Sequence, residues 1–297
     1  MRIGFSLPQV GAHAHHYDQL PAYAKAIEEL GADSLWVSDR VLAPVNPTVG
    51  YAGTDEIPEA FHSVLDPLAL VAAVGTVTQR VTIGTNVLIA PWYPPILLAR
   101  FLTTADIITG GRLITGFGTG WSPEEYASVG VPMKQRGARL EECLDILDAY
   151  WTTNPVQHQG EHWTIPPTYV ELKPVQRPRP PVYLAAFAPA SFARAGRRAD
   201  GWMPMMVPSA DFDPAFLTAG ITAIRTEAEK AGRDPDTLDT LLRVNPRPGT
   251  TVQNIIDGIE LAREKAGINH AYLDVNFYRH HAEALDIAGQ VYSAVRG

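Results

Sequence analysis

The stretch from Arg80 to Trp121 constrains the fold more than any other part of the chain. It reads as a strand from Val81 to Ile89, a helix-length segment from Pro95 to Gly110, and a second strand from Arg112 to Phe117 that runs into Gly118-Thr-Gly-Trp121. Both strands are near-continuous apolar runs, as expected of parallel strands covered on both faces; a half-exposed strand would alternate. A helix joining two such strands makes a right-handed βαβ unit, and folds of this kind put their chemistry at the carboxyl ends of the strands. Those ends hold Thr85-Asn86-Val87 and the alternate glycines Gly116, Gly118 and Gly120, so two polar, backbone-rich edges face one opening.

The alternation continues along the chain. Arg2 to Leu7 reads as a buried strand, and Tyr17 to Leu30 carries apolar residues at helical spacing before Gly31 stops it. Ser34 to Asp39 is the second strand, and its helix runs from Leu65 to Val77 with Asp66 as N-cap and Pro67 at the first position. Strands five to eight fall at Val182–Ala186, Asp200–Pro204, Leu238–Val244 and His270–Val275, each followed by a helical segment. Eight such pairs in 297 residues are the arithmetic of a (β/α)8 TIM barrel, read as one domain over 1–297. Two segments exceed an ordinary connection: Arg40 to Phe61 after strand two, and Thr152 to Pro181 before strand five, the latter with a small hairpin around Gln159-Gly160. Both read as insertions, and long loops in such folds commonly serve a site.

The first residues carry too few apolar side chains for a secretory leader, and no run is long enough to span a membrane, so a cytosolic protein is expected. The single cysteine, Cys143, excludes an internal disulfide and lies with Leu140, Leu144 and Leu147 on one helix face, which reads as core. A net charge of −8 argues against general nucleic-acid binding. The charge is uneven, however. Between Leu172 and Ala199 there is no acidic residue, while Lys173, Arg177, Arg179, Arg194, Arg197 and Arg198 are cationic, which suggests a small anionic ligand.

Candidate site residues are those at the strand carboxyl ends. His13 and His15 follow strand one, Asp39 and Arg40 strand two, Asn86 strand three, Gly118, Thr119 and Trp121 strand four, and Ala185 to Ala188 strand five. Asp39 and Arg40 read either as site groups or as a loop-anchoring ion pair. The glycines do not make a dinucleotide fingerprint, because the residues about 20 further on are Glu141 and Glu142 inside a helix. They let a flat ligand approach the backbone, or form a plain tight turn. Ala186-Phe-Ala-Pro-Ala-Ser191 is shaped for a phosphate: Pro189 opens a helix, and the amides of Phe187 and Ala188 are expected free. The arginines beyond it are either anion contacts or a solvated helix face. His13 and His15 are open to three readings: a metal pair, a pocket wall, or a polar loop.

Ser34 to Arg40, Leu65 to Leu68, Val81 to Thr85, Thr104 to Leu113 with Gly118 to Trp121, Arg136 to Glu141 and Ala199 to Trp202 together resemble the bacterial luciferase-like monooxygenase family. The likeness is greatest to its coenzyme F420-dependent oxidoreductases. The resemblance implies a flavin or deazaflavin across the barrel mouth, with its phosphate at Ala185, Ala186 and Phe187 and its ring against a bulge at Thr85, Asn86 and Val87. It also implies a cis peptide between Asn86 and Val87, and a homodimer. Alcohol-oxidising relatives carry His after the strand-two Asp and Glu after the strand-four glycines; here those positions are Arg40 and Trp121, neither of which titrates near neutral pH.

The expectation is therefore hydride transfer between F420 and a small organic substrate. Asp39 would hold Arg40, and Arg40 would stabilise an anionic ring or oxyanion. His13, Tyr51, His62 and Trp121 would line the substrate side, and the cationic band would meet the cofactor's acidic tail. Three alternatives stand beside it: an FMN-dependent monooxygenase fed by a separate reductase, a metal-dependent hydrolase centred on His13 and His15, and a cofactor-free binding protein.

Overall fold

A computed structural model describes residues 1–51, 54–278 and 280–296. Eight parallel strands close on themselves: β1 (Arg2–Ser6), β2 (Ser34–Val37), β3 (Thr82–Thr85), β4 (Leu113–Gly118), β5 (Val182–Leu184), β6 (Gly201–Trp202 and Met205–Met206), β7 (Asp239–Val244) and β8 (His270–Leu273). Each pairs in parallel with the next, and β8 returns to β1 through Arg2 opposite His270. The expected (β/α)8 barrel is therefore the observed fold.

Nine α-helices among the described residues wrap it: α1 (Leu20–Leu30), α2 (Pro67–Gly75), α3 (Pro95–Ile108), α4 (Pro123–Ser128), α5 (Arg136–Thr152), α6 (Pro189–Arg198), α7 (Ala215–Lys230), α8 (Val252–Ala266) and α9 (His281–Arg296). The apolar runs of the strands serve two cores. Trp36, Ile114, Tyr183, Leu241 and Tyr272, from five different strands, meet Met203 from the break in β6 in one buried cluster that fills the lumen. The alternate residues, such as Ile3, Phe5, Leu35 and Ile83, pack outward against helix faces that include Tyr23, Ile27, Val71 and Leu102. Cys143 is fully buried, and burial pushes its thiol up to about 12, in keeping with a core role.

Asp66 caps α2 by accepting the Ala69 amide at 2.8 Å, with Pro67 next in line, as its sequence predicts. Two strands depart from expectation. The third does not run unbroken to Ile89; β3 ends at Thr85 and the chain rejoins the sheet at Leu88–Ile89, opposite Phe117 and Gly118. The sixth breaks at Met203-Pro204, where proline has no amide to give the ladder. The insertion before β5 does form a hairpin, Val156–Gln159 against Thr164–Thr168. Its turn rests on α5, whose Glu142 carboxylate accepts the amides of His162 and Trp163 at 2.9 and 2.8 Å.

Candidate active site

At the end of β2, Asp39 turns its Oδ2 to the Ile89 amide at 3.1 Å and the Tyr93 hydroxyl at 2.8 Å. Burial pushes its carboxyl up to about 6, and the two hydrogen bonds only partly oppose this. Asp39 does not hold Arg40, so that expectation is corrected. The partner of Arg40 is Glu125, with Nη2 to Oε2 at 3.2 Å and side-chain exposures of 8% and 3%. Glu125 also accepts the amides of Val41 and Leu42 at 2.9 and 3.4 Å, so it ties the long β2–α2 loop to α4. These bonds replace half of an apparent capping box at Ser122-Pro-Glu-Glu125: Ser122 accepts the Glu125 amide, but the carboxylate reaches across the site. The Arg40 guanidinium lies between the rings of Phe61 and Trp121, 4.5 and 4.8 Å from their centroids.

The raised carboxyl gives a signed pH effect. Folded Asp39 keeps its proton up to about pH 6, whereas an unfolded Asp releases it near 3.8, so stability attached to this group falls as pH rises between those values. Asp39→Asn is therefore expected to gain up to about 3 kcal/mol on the native chain between about pH 4 and pH 7. Denaturant midpoints of both proteins across that range check it; a pH-independent difference contradicts it.

Between β3 and the rejoining segment, the Asn86–Val87 peptide is cis, as the family resemblance implies. Thr85 is corrected from cofactor contact to brace: its hydroxyl donates to the Gly116 carbonyl and accepts the Gly116 amide, both at 2.8 Å, and it is fully buried. Only glycine fits opposite, because a Cβ on Gly116 would sit 1.8 Å from the Thr85 carbonyl oxygen. Asn86 is anchored by its amide to the Val37 carbonyl at 2.7 Å, while its buried Nδ2 has no partner among the described residues.

The β5–α6 turn differs from expectation. The amides of Phe187 and Ala188 are not free; both donate to Ser191 Oγ, at 3.1 and 3.0 Å, and that hydroxyl donates to the Ala188 carbonyl. Ser191→Ala should lower stability by about 1 kcal/mol, read as a lower Tm; an unchanged Tm contradicts this role. The cationic band is consumed within the chain. Arg194, Arg197 and Arg198 pair with Glu141, Arg198 also with Asp145 and Asp148, and Arg179 with Asp148 and Asp200. Lys173 donates to the carbonyls of Tyr150 and Thr153, and Arg177 to those of Pro174 and Gln176. None of the six borders the cavity at the barrel mouth, so these charges glue α6 and the insertion to α5.

That cavity has a volume of about 470 Å³, within the range of roughly 300–1,000 Å³ common for small-molecule sites. It brings together Asp39, Arg40, Tyr51, Asn86, Val87, Gly118, Thr119, Trp121, Ala185 and Phe187 of the expected set. Ala186 is buried behind it, its carbonyl accepting the Trp202 indole at 3.0 Å, and Ala188 begins α6 outside it. His62 is exposed and away from it. His13 is no pocket wall: its Nε2 lies 2.6 Å from the Tyr278 carbonyl and its Nδ1 3.3 Å from that of His281. His15 instead meets Ser63 Oγ at 3.0 Å, so the two histidines turn to different partners. Sequence reasoning missed Phe61, Met203, Met205 and Arg243, which also line the cavity. Arg243 had a signal: it interrupts the apolar run Leu241-Leu-Arg-Val244 just before the strand's carboxyl end. A second cavity, of about 220 Å³, lies at the opposite end, by the first residues of β7 and the chain entering β8.

A cavity at the carboxyl mouth of a parallel barrel, set against a broken third strand, lies where barrel enzymes place their active sites. Residues 1–291 match the model of the luciferase-like monooxygenase family, and the chain belongs to that family of oxidoreductases. It is 32% identical over 265 residues to an F420-dependent glucose-6-phosphate dehydrogenase of Gordonia bronchialis, covering 86% of this chain and 72% of that one. Among solved structures, the monooxygenase RslO1 from Streptomyces bottropensis superposes with a TM-score of 0.82 at 20% identity, over 100% of this chain and 99% of that one. An F420-dependent secondary alcohol dehydrogenase in complex with an F420-acetone adduct gives 0.78 at 21% identity, over 100% and 99%. No described helix is long and apolar enough to cross a membrane.

Proposed function

We propose that the protein is an F420-dependent oxidoreductase that transfers hydride between the deazaflavin and a small organic substrate. The observation that carries the reading is the break in the third strand between Thr85 and Leu88, where Asn86 and Val87 leave the ladder and line one wall of the 470 Å³ cavity together with Gly118. Three details fit a flat polar heterocycle there. Asn86 Nδ2 is a buried donor without a partner among the described residues. Gly118 has no Cβ, and one built on it would lie 2.6 Å from the Val87 side chain. Phe187, 64% exposed, hangs over the cavity rim.

When bound, the deazaflavin supplies two-electron hydride chemistry; the chain supplies geometry and proton handling. Asn86, Val87, Gly118, Thr119 and Ala185 would hold the ring. Asp39 is the one carboxyl among the described cavity residues, and with its Oδ2 fixed by Ile89 and Tyr93, its Oδ1 would hold or release a proton for the substrate. Arg40 stays cationic and, with Trp121 and Phe61, would wall the substrate side. A homodimer and a small-molecule substrate belong to this reading.

A second reading, an FMN-dependent monooxygenase served by a separate reductase, gains from one observation: of the six cations expected to meet the acidic F420 tail, Arg179, Arg194, Arg197 and Arg198 are already paired with carboxylates, and none of the six borders the cavity. Equilibrium titration with oxidised F420 and with FMN tests the two. Tighter F420 binding is expected. Tighter FMN binding, with oxygen uptake once the flavin is reduced, would replace the proposal by the second reading.

A further inference from the structure

We infer that Arg243 is the donor that grips the substrate's oxygen, and that this oxygen belongs to an uncharged carbonyl compound with an apolar body, not to a phosphorylated sugar. The inference rests on the proposed oxidoreductase reading and deepens it. Among the described residues, three that are charged line the cavity: Asp39, Arg40 and Arg243. Arg243 is opposite Met205 of β6 and Tyr272 of β8, so it forms the cavity floor above the packed lumen. Its Nε and Nη2 both donate to Asp274 Oδ2, while Nη1 makes no hydrogen bond among the described residues, and 17% of the side chain stays accessible. The arginine is held rigidly because its partner is. Asp274 Oδ1 accepts from Ser6 Oγ at 3.1 Å and from the amide and side chain of Asn276 at 3.1 and 2.8 Å. A guanidinium on a cavity-lining residue, fixed at two nitrogens and with the third unbonded among the described residues, is a preorganised single donor.

The charge balance selects the ligand class. Each cavity arginine already has its own buried carboxylate, Glu125 for Arg40 and Asp274 for Arg243. Arg247, the next arginine along the chain, stacks over Tyr51 at 5.3 Å and lies outside the lining. Among the described residues that line the cavity, a phosphate dianion would meet no cation without its own carboxylate, and would lose its hydration on entering. A ketone or enone oxygen loses little and gains one charge-assisted hydrogen bond. Val10, Tyr51, Phe61, Trp121, Met203 and Met205 offer its carbon frame an apolar and aromatic wall.

The test is calorimetric titration of the protein, with and without F420, using cyclohexanone, cyclohex-2-enone, acetophenone and glucose 6-phosphate as probes. At least one carbonyl probe is expected to bind, and glucose 6-phosphate more weakly than any of them. Arg243→Lys keeps a cation beside Asp274 but loses the forked third nitrogen, and should weaken the carbonyl probe about tenfold or more while F420 affinity stays within about twofold. Arg243→Met should weaken it at least as far; if that variant fails to fold because Asp274 is left unpaired, the lysine variant decides. Carbonyl binding unchanged in Arg243→Lys, no binding by any carbonyl probe, or preferential binding of glucose 6-phosphate overturns the inference. The cofactor-free arm reads Arg243 alone, so a failure of F420 to bind is seen separately as a failure of the oxidoreductase proposal.

Discussion

Glu125→Ala is expected to destabilise the protein by about 3–5 kcal/mol, an effect of the size reserved for stranded buried charges. The carboxylate faces a guanidinium that is itself nine-tenths buried, and it holds two loop amides. Removing it leaves Arg40 without a counter-charge between two aromatic rings, where burial already disfavours its protonated form. Arg40 cannot shed its proton near neutral pH, so the cost falls on the fold. The double variant Arg40→Met with Glu125→Ala should recover most of the loss, because a methionine fills the slot between Phe61 and Trp121 with no charge to satisfy. Urea denaturation of the two single variants and the double gives the coupling. A single-variant loss below about 1 kcal/mol would show that the pair is no anchor.

Gly116→Ala should act through geometry instead of charge. Its new methyl group would meet the Thr85 backbone carbonyl, which has no rotamer with which to move aside. The clash separates β4 from β3 at the point where Thr85 Oγ1 bridges them with two 2.8 Å bonds. A loss of at least about 3 kcal/mol is expected, at the upper end of overpacking costs. Because Asn86 and Val87 follow directly on that bridge, cofactor affinity should also fall about tenfold or more in whatever fraction stays folded. Denaturation together with F420 fluorescence titration reads both; native affinity in a folded variant would separate the brace from the cofactor wall.

Much of the fold was legible because a strand covered on both faces must be apolar throughout, and the runs at Val81, Leu113 and Val182 say so without ambiguity. Helix starts were legible where a cap and a proline coincide, as at Asp66-Pro67. The cavity wall at Asp39, Asn86, Gly118 and Ala185 followed from a rule of topology, that carboxyl ends converge. What failed was pairing. Nothing local tells Arg40 to choose Glu125, 85 positions away, over the adjacent Asp39; that choice is made when α4 packs against the β2–α2 loop. The cationic stretch looked like a ligand site for the same reason, since its acidic partners Glu141, Asp145 and Asp148 lie on a helix far upstream. Ser191 hid the two amides of the β5–α6 turn by a backward hydrogen bond that apolar patterning cannot register. His13 pointed away because a distant histidine, His281, awaited it at the start of α9.

The most direct measurement is a crystal structure of the protein soaked with oxidised F420. The account predicts the deazaflavin ring in the 470 Å³ cavity, one face on Asn86–Val87 and Gly118 and the other open toward Trp121 and Arg243. Density for the ring anywhere else, or a saturated soak with that cavity filled only by solvent, would contradict it.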